Sequence, residues 1–206
     1  MKGFMAGRRV WGAIGAVIMV GFAGLLLWSY HAVFSLGKIE LYSENGLLEN
    51  IQAMVLAAAC LAFLRPVIFE KRPDRLILLF CTLVCYAFVL REIDGETLDV
   101  PEVFRRLGSG TGRNMTIAAA LLVIVSFFVF NFSYQARRVF LFLRSLSGAL
   151  VLMGGAFLFL GEVFEKSTSI AHHAYFEEIA ELVGDVFILL GGLSVNSFFN
   201  AKNPPA

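Results

Sequence analysis

Six stretches of the chain are apolar and long enough to cross a membrane as helices. A helix rises about 1.5 Å per residue, so about 20 residues cross the roughly 30 Å of hydrocarbon in a bilayer. Apolar residues make up 58% of the 206 residues, and a soluble fold of this length could not bury so much apolar surface. The sequence therefore predicts an all-α, polytopic transmembrane bundle that forms one domain over residues 1–206. The six predicted spans cover about 11–36, 45–64, 76–94, 114–134, 145–164 and 179–199.

The lysine and arginine positions predict how this bundle is oriented. With the N-terminus in the cytoplasm, 11 of the 17 basic residues lie on the cytoplasmic side, as the positive-inside rule requires. Of the 16 acidic residues, only Glu70 and Asp74 lie on that side. Both termini are therefore predicted to be cytoplasmic (N-in/C-in), in a membrane expected to be a bacterial inner membrane. The net charge of +1 gives no indication of a nucleic-acid partner.

The cysteines and glycines predict close packing rather than chemistry. Cys81 and Cys85 are four residues apart in an apolar run, where a free cysteine behaves as a small apolar side chain. Small residues let membrane helices approach closely. The glycines expected at such contacts are Gly21, Gly24, Gly148, Gly154, Gly155, Gly161, Gly191 and Gly192.

Ionisable residues collect near the predicted outer ends of spans two, three and six. Glu49 and Arg91 lie about 6 Å below the outer boundary, with Glu181 at about 3 Å and Asp185 at about 9 Å. A charge that faces lipid is costly, so these groups are expected to face inward and meet. We expect one shared site, open to the outer face, in which Arg91 pairs with Glu49, Asp94 or Asp185.

The same residue types suggest metal chemistry. Neutral histidines and carboxylates are ligands for a divalent metal, and such a metal lowers the pKa of a bound water. The catalytic candidates are Glu49 as base or metal ligand, Arg91 as anchor for a phosphate or carboxylate, and Asp185. Because the spacing differs from His-Glu-x-x-His, a purely structural polar collar remains open, with the acids satisfied by Arg91, Arg113, Asn50 and Gln52. The candidate metal ligands are His172, His173, Glu177, Glu181 and Asp185.

Three functions follow from these residues, and the sequence does not decide whether the chain is an enzyme. The first is a non-catalytic accessory or assembly module with a polar pocket near the outer face, a membrane-protein partner and surrounding lipid. The second is a metal-dependent hydrolase or transferase that acts on a lipid or lipid-linked substrate. The third is a cation or proton pathway. The scarcity of polar residues in the inner halves of spans three and six counts against a pathway.

Three short motifs resemble a family of small, uncharacterised bacterial inner-membrane proteins. They are Glu44-Asn45-Gly46-Leu47-Leu48-Glu49, Arg91-Glu92-Ile93-Asp94 and the Glu177-Glu178 pair. Members of that family look like six-span proteins, with Asp where this chain has Asn45 and Leu where it has Ile93. The resemblance implies the six-span topology and supplies no function.

Overall fold

The computed structural model describes residues 2–43, 46–70, 72–93, 110–167 and 169–202, with side chains only between residues 13 and 195 of these ranges. Over these ranges the secondary structure is entirely helical. A 3-10 turn at Ile39–Tyr42 joins the first two helices. The seven α-helices are α1 (Lys2–Phe34), α2 (Leu47–Phe69), α3 (Arg75–Glu92), α4 (Gly110–Phe130), α5 (Phe132–Leu143), α6 (Leu146–Glu165) and α7 (His173–Lys202).

Four regions of these helices are long and apolar enough to cross a membrane. They are Ala13–Phe34, Ile39–Phe69, Gly110–Phe130 and Leu146–Glu165. The other two predicted spans correspond to α3 and α7. Charged residues lie at both ends of α3, including Arg91, and the acids of α7 lie in its first half, including Asp185. Six of the helices match the six predicted spans. Most of their ends lie within a few residues of the predicted ends.

Long helices that are consecutive in the chain run in opposite directions, and contacts near their ends show which termini lie together. At one end, Gln52 of α2 binds the Glu178 carbonyl of α7, and Arg113 of α4 binds the Leu90 carbonyl of α3. At the other end, Arg72 in the α2–α3 turn reaches the Val195 carbonyl of α7. We call these the acidic end and the basic end. The acidic end holds Glu49, Glu92, Glu162, Glu165, Glu177, Glu178, Glu181 and Asp185, and the basic end holds Arg65, Arg72, Arg75, Arg137, Arg138 and Arg144.

Helix α7 lies at the centre of the bundle and packs against α2 and α6. The α6–α7 contact is close because small residues recur every seven positions on both helices. Ser147 donates a 2.7 Å hydrogen bond to the Gly191 carbonyl. Further along, Gly154 packs on Gly184, where a Cβ on either glycine would lie 2.8 Å from the other residue's carbonyl oxygen. Such close approach is typical of helices that associate in lipid.

The other predicted glycine contacts divide into correct and incorrect ones. A Cβ at Gly192 would lie 3.0 Å from Ala62 Cβ of α2, as expected for an interface glycine. Gly148 instead packs on the backbone of Phe142 and Leu143, in the turn before α6. At Gly21, Gly24 and Gly155, an added Cβ would meet no described atom within 4 Å, so these three are not at helix contacts in the part of the chain that the structure describes.

Helices α1 and α4 lie at the periphery of the bundle. Helix α1 touches α7 at Gly15 and Leu190, and again where the Ser29 hydroxyl lies 3.1 Å from the Tyr175 hydroxyl. Helix α4 contains no buried residue and packs along α3. Its first turn includes Gly110 and Gly112.

Candidate functional site at the acidic end

Arg91 connects α3 to α7 at the acidic end. Its Nη2 donates to Glu181 Oε2 at 2.5 Å, and its Nε donates to Glu92 Oε1 at 2.8 Å. The Arg91 side chain is 48% exposed, whereas Glu181 and Glu92 are 12% and 8% exposed. The guanidinium therefore covers two largely buried carboxylates from the open side. We call this arrangement the Arg91 bridge.

Arg91 forms ion pairs, and its described partners, Glu181 and Glu92, are not the three acids named in the prediction. Glu181 was placed in the shared site, and Glu92 was counted among the nearby carboxylates, but neither was named as the partner of Arg91. Asp94 lies outside the described residues. Glu181 is able to approach Arg91 because Gly161 of α6 leaves room for it. A Cβ at Gly161 would lie 2.7 Å from Glu181 Cγ, so the small-residue spacing of α6 also positions an acid of the site.

Asp185 lies one helical turn deeper than Glu181 and is 2% exposed. Its Oδ1 is buried without a hydrogen-bond partner among the described residues. Asp185 lies within range of electrostatic interaction with Glu92, Glu181, Arg91 and Glu178. It also interacts electrostatically with the Cys85 thiol of α3. A buried carboxyl group without a donor is unfavourable, which makes Asp185 the most unusual polar residue of the site.

Gln52 of α2 is fully buried and links this helix to α7. Its Nε2 donates to the Glu178 backbone carbonyl at 2.9 Å. Gln52 Oε1 and Glu178 Oε2 have no partner among the described residues. The charge of Glu49 acts on both Glu178 and Glu92, so Glu49 belongs to the same cluster. Three helices thus bring Glu49, Glu92, Glu178, Glu181 and Asp185 around one arginine.

Within the described parts of the chain, three of the groups expected to satisfy these acids in a polar collar bind backbone carbonyls. Gln52 donates to Glu178, Arg113 donates to Leu90 at 2.9 Å, and Asn50 donates to Gly46 at 2.8 Å. Each of them caps or joins helices, as side chains often do near helix ends. The fourth group expected in the collar, Arg91, does form ion pairs with carboxylates of the cluster.

The two histidines differ in their surroundings. His172 precedes α7 with a φ of +56°, and its Nδ1 lies 3.0 Å from the Tyr42 hydroxyl. Its ring also contacts Phe34 edge-on, at 5.2 Å between centroids. His173 Nδ1 is buried without a partner among the described residues. His172 is therefore part of an aromatic cluster with the end of α1 and the 3-10 turn.

The predicted metal site gains no support from this geometry. Among the described residues, no group of three or more His, Cys, Asp or Glu side chains is arranged to hold a metal ion. Of the predicted ligands, His172 is directed towards Tyr42, and Glu181 is bound by Arg91. Glu177, His173 and Asp185 stay predicted residues of a site at this end, and the structure assigns no ligand to them.

Comparisons with known proteins identify no relative. No protein-family model, no curated protein and no solved structure matches the chain. The resemblance carried by the motifs around Glu49 and Arg91 therefore stays a prediction. The function is argued below from the contacts of this chain alone.

A second ionic cluster, at the basic end, was missed in the sequence. Arg72 is 8% exposed and binds Asp74 through two nitrogens at 3.0 Å each, and Glu70 at 3.1 Å. Burial opposes the charge on Arg72, but the bonds to Asp74 and Glu70 outweigh it and raise the pKa of the guanidinium. Arg72 therefore faces the acids of its own turn and α7. The signal was the spacing of Glu70, Arg72 and Asp74, two residues apart.

Proposed function

We propose that this chain is a six-span integral protein of the bacterial inner membrane, with both termini in the cytoplasm, that acts as a non-catalytic accessory or assembly module. The alternating helix directions and the four strongly apolar regions support the span count. The basic end gathers the arginines that the positive-inside rule assigns to the cytoplasm. The acidic end would then face outward, where it would meet a membrane-protein partner.

A cysteine-labelling experiment tests this topology. The variants carry Cys60, Cys81 and Cys85 replaced by alanine, and one new cysteine at Ser169 or at Ser133, which are exposed at the acidic and basic ends. A membrane-impermeant maleimide should label Ser169→Cys in intact cells, and Ser133→Cys only after permeabilisation. The reverse pattern would overturn the orientation, and equal labelling of both sites in intact cells would overturn the span count.

The Arg91 bridge is the observation that carries the module interpretation. It joins α3 to α7 through Arg91, rather than leaving this arginine free for a substrate phosphate or carboxylate. A charge without a partner is costly at this depth of a membrane, so the guanidinium and the carboxylates of the bridge each depend on the other. The bridge thus holds the outer end of the bundle in a fixed shape, which suits a surface for assembly.

A double-mutant cycle with Arg91→Gln and Glu181→Gln tests the bridge. We expect each single variant to lower the thermal midpoint in detergent, and the double variant to lose about 1 kcal/mol less than the sum. Lys166→Gln is the control, because Lys166 pairs with Glu162 on the exposed surface. Chelator should leave all midpoints unchanged. Loss of stability with chelator and no coupling between Arg91 and Glu181 would contradict the bridge and favour a metal site.

Asp185 supports a second candidate function, a cation or proton site. Its buried, unpartnered Oδ1 is the specific observation, since buried carboxylates commonly bind a cation or a proton. The core beyond it is apolar, with Ile188 and Leu189 buried, which favours a closed site over a channel. Proton flux into liposomes that contain the protein tests the difference. Flux that Asp185→Asn abolishes would replace the module proposal with a pathway.

A further inference from the structure

Helix α5, which the sequence did not predict, has two opposite faces. Phe132, Phe140 and Leu143 lie on one face and are 60%, 53% and 38% exposed. Arg137 and Arg138 lie on the other face, by the 100° step of a helix. The helical conformation is interrupted at Asn131, which has a φ of −123° and a ψ of 37°, so α5 is separate from α4. An apolar stripe opposite arginines is the pattern of a helix that lies in a membrane interface.

The buried side of α5 fixes this helix at the basic end. Phe142 is 5% exposed and belongs to the main apolar core. The turn after α5 is closed by Ser145, which donates to the Phe142 carbonyl at 2.6 Å and accepts from the Gly148 nitrogen at 3.1 Å. The exposed phenylalanines are therefore held outward by the fold and are free to enter the acyl region of a leaflet.

The charged residues in and next to α5 in the sequence all have the same sign. No Asp or Glu lies between Glu102 and Glu162 in the sequence, whereas Arg137, Arg138 and Arg144 all lie in or next to α5. Arg138 stacks over the Tyr134 ring at 5.0 Å, and Arg144 over the Phe140 ring at 4.2 Å. Stacking on rings leaves guanidinium edges available for other acceptors. The arginines near α5 thus differ from Arg72, whose donors are used by Glu70 and Asp74.

We propose that α5 and the turn after it bind the phosphate headgroup of an anionic glycerophospholipid. The phenylalanine face of α5 enters the acyl region of the leaflet at the basic end. Arg137, Arg138 and Arg144 bind the phosphate, because a guanidinium matches phosphate oxygens in a two-bond geometry. Charge complementarity selects an anionic over a zwitterionic headgroup. This proposal concerns the basic end and does not depend on the function of the acidic end.

Native mass spectrometry of the detergent-solubilised protein tests this site with phosphatidylglycerol and phosphatidylcholine as probes. We expect phosphatidylglycerol to bind more tightly. Each basic residue near an anionic surface contributes to the free energy of binding. Removing two of them in Arg137→Gln/Arg138→Gln should weaken phosphatidylglycerol binding by about thirtyfold. Lys38→Gln/Lys166→Gln is the matched control, because it removes two exposed positive charges at the acidic end and should leave the affinity unchanged.

Three outcomes would overturn the proposal. They are equal affinities for the two lipids, unchanged phosphatidylglycerol affinity in the α5 variant, and equal losses in both double variants, which would mean that only total charge matters. Displacement of phosphatidylglycerol by millimolar inorganic phosphate would identify a free-phosphate site and would also refute it. If the double variant does not fold, Arg144→Gln provides the same comparison from the turn outside the helix, with Lys166→Gln as its control.

Discussion

Gly154 and Gly155 offer a matched test of the α6–α7 contact, because they are neighbours on one helix in different surroundings. A Cβ at Gly154 would lie 2.5 Å from Ile188 Cγ1 and 2.8 Å from the Gly184 carbonyl oxygen. At Gly155, an added Cβ would find no described atom within 4 Å. Alanine at the two positions therefore changes the backbone equally and the helix contact unequally.

The expected difference in stability follows from two terms. Replacing a helical glycine with alanine gains about 0.5–1 kcal/mol of unfolding free energy from reduced backbone freedom. At Gly155 this gain stands alone. At Gly154 the Ile188 side chain can rotate away, but the Gly184 carbonyl is backbone, so α6 and α7 must separate at an overpacking cost of about 1–3 kcal/mol. Gly154→Ala should therefore be less stable than Gly155→Ala by about 1–3 kcal/mol.

The buried cysteines make this difference measurable. Cys81 and Cys85 are 7% and 1% exposed, so a thiol-reactive dye reports their release as the protein unfolds in detergent. For a chain of this length, 1 kcal/mol shifts the midpoint by about 2–4 °C, so the two variants should differ by about 2–12 °C. Circular dichroism provides an independent reading. Equal midpoints, or a lower midpoint for Gly155→Ala, would refute the helix contact at Gly154.

Three further predictions concern single contacts, each measured by the same thermal assay. Arg72→Ala should destabilise the protein by about 3–5 kcal/mol, because it leaves buried Asp74 without its partner, and Arg72→Lys should recover only part of the loss, because lysine cannot form the two-bond pair; full recovery would contradict the geometry. Ser147→Ala should cost about 1 kcal/mol through the lost bond to Gly191, and no change would mean that this bond is not formed. Asp185→Asn should not lower the midpoint, since no described donor binds Asp185 Oδ1; a loss of several degrees would reveal a partner.

The sequence predicted the long helices well because hydropathy and length determine them directly. Helix α5 was missed because its apolar residues alternate with Arg137 and Arg138, so it has no long apolar run. It was read as a short connection between two spans. Amphipathic periodicity over 132–143 was the signal that could have found it.

The acidic cluster was predicted in kind but not in its pairings. A rise of 1.5 Å per residue gives the depth of a group such as Arg91, but it does not give the direction in which the group points around the bundle. The same limit explains why Gly155 was expected at a contact that Gly154 makes. On a helix that is apolar all round, the pattern cannot indicate which face meets its neighbour.

The central position of α7 has a consequence for how the protein is made. Helices α2, α3 and α6 precede α7 in the chain and are synthesised before it, yet Gln52, Arg91, Arg72 and Gly154 all find their partners on α7. Until residues 173–202 leave the ribosome, the α2–α3 pair must wait in the membrane with Arg91 lacking Glu181. Assembly of the bundle is therefore completed only when α7 is present, and the waiting helices are the stage at which a chaperone or insertion factor would act.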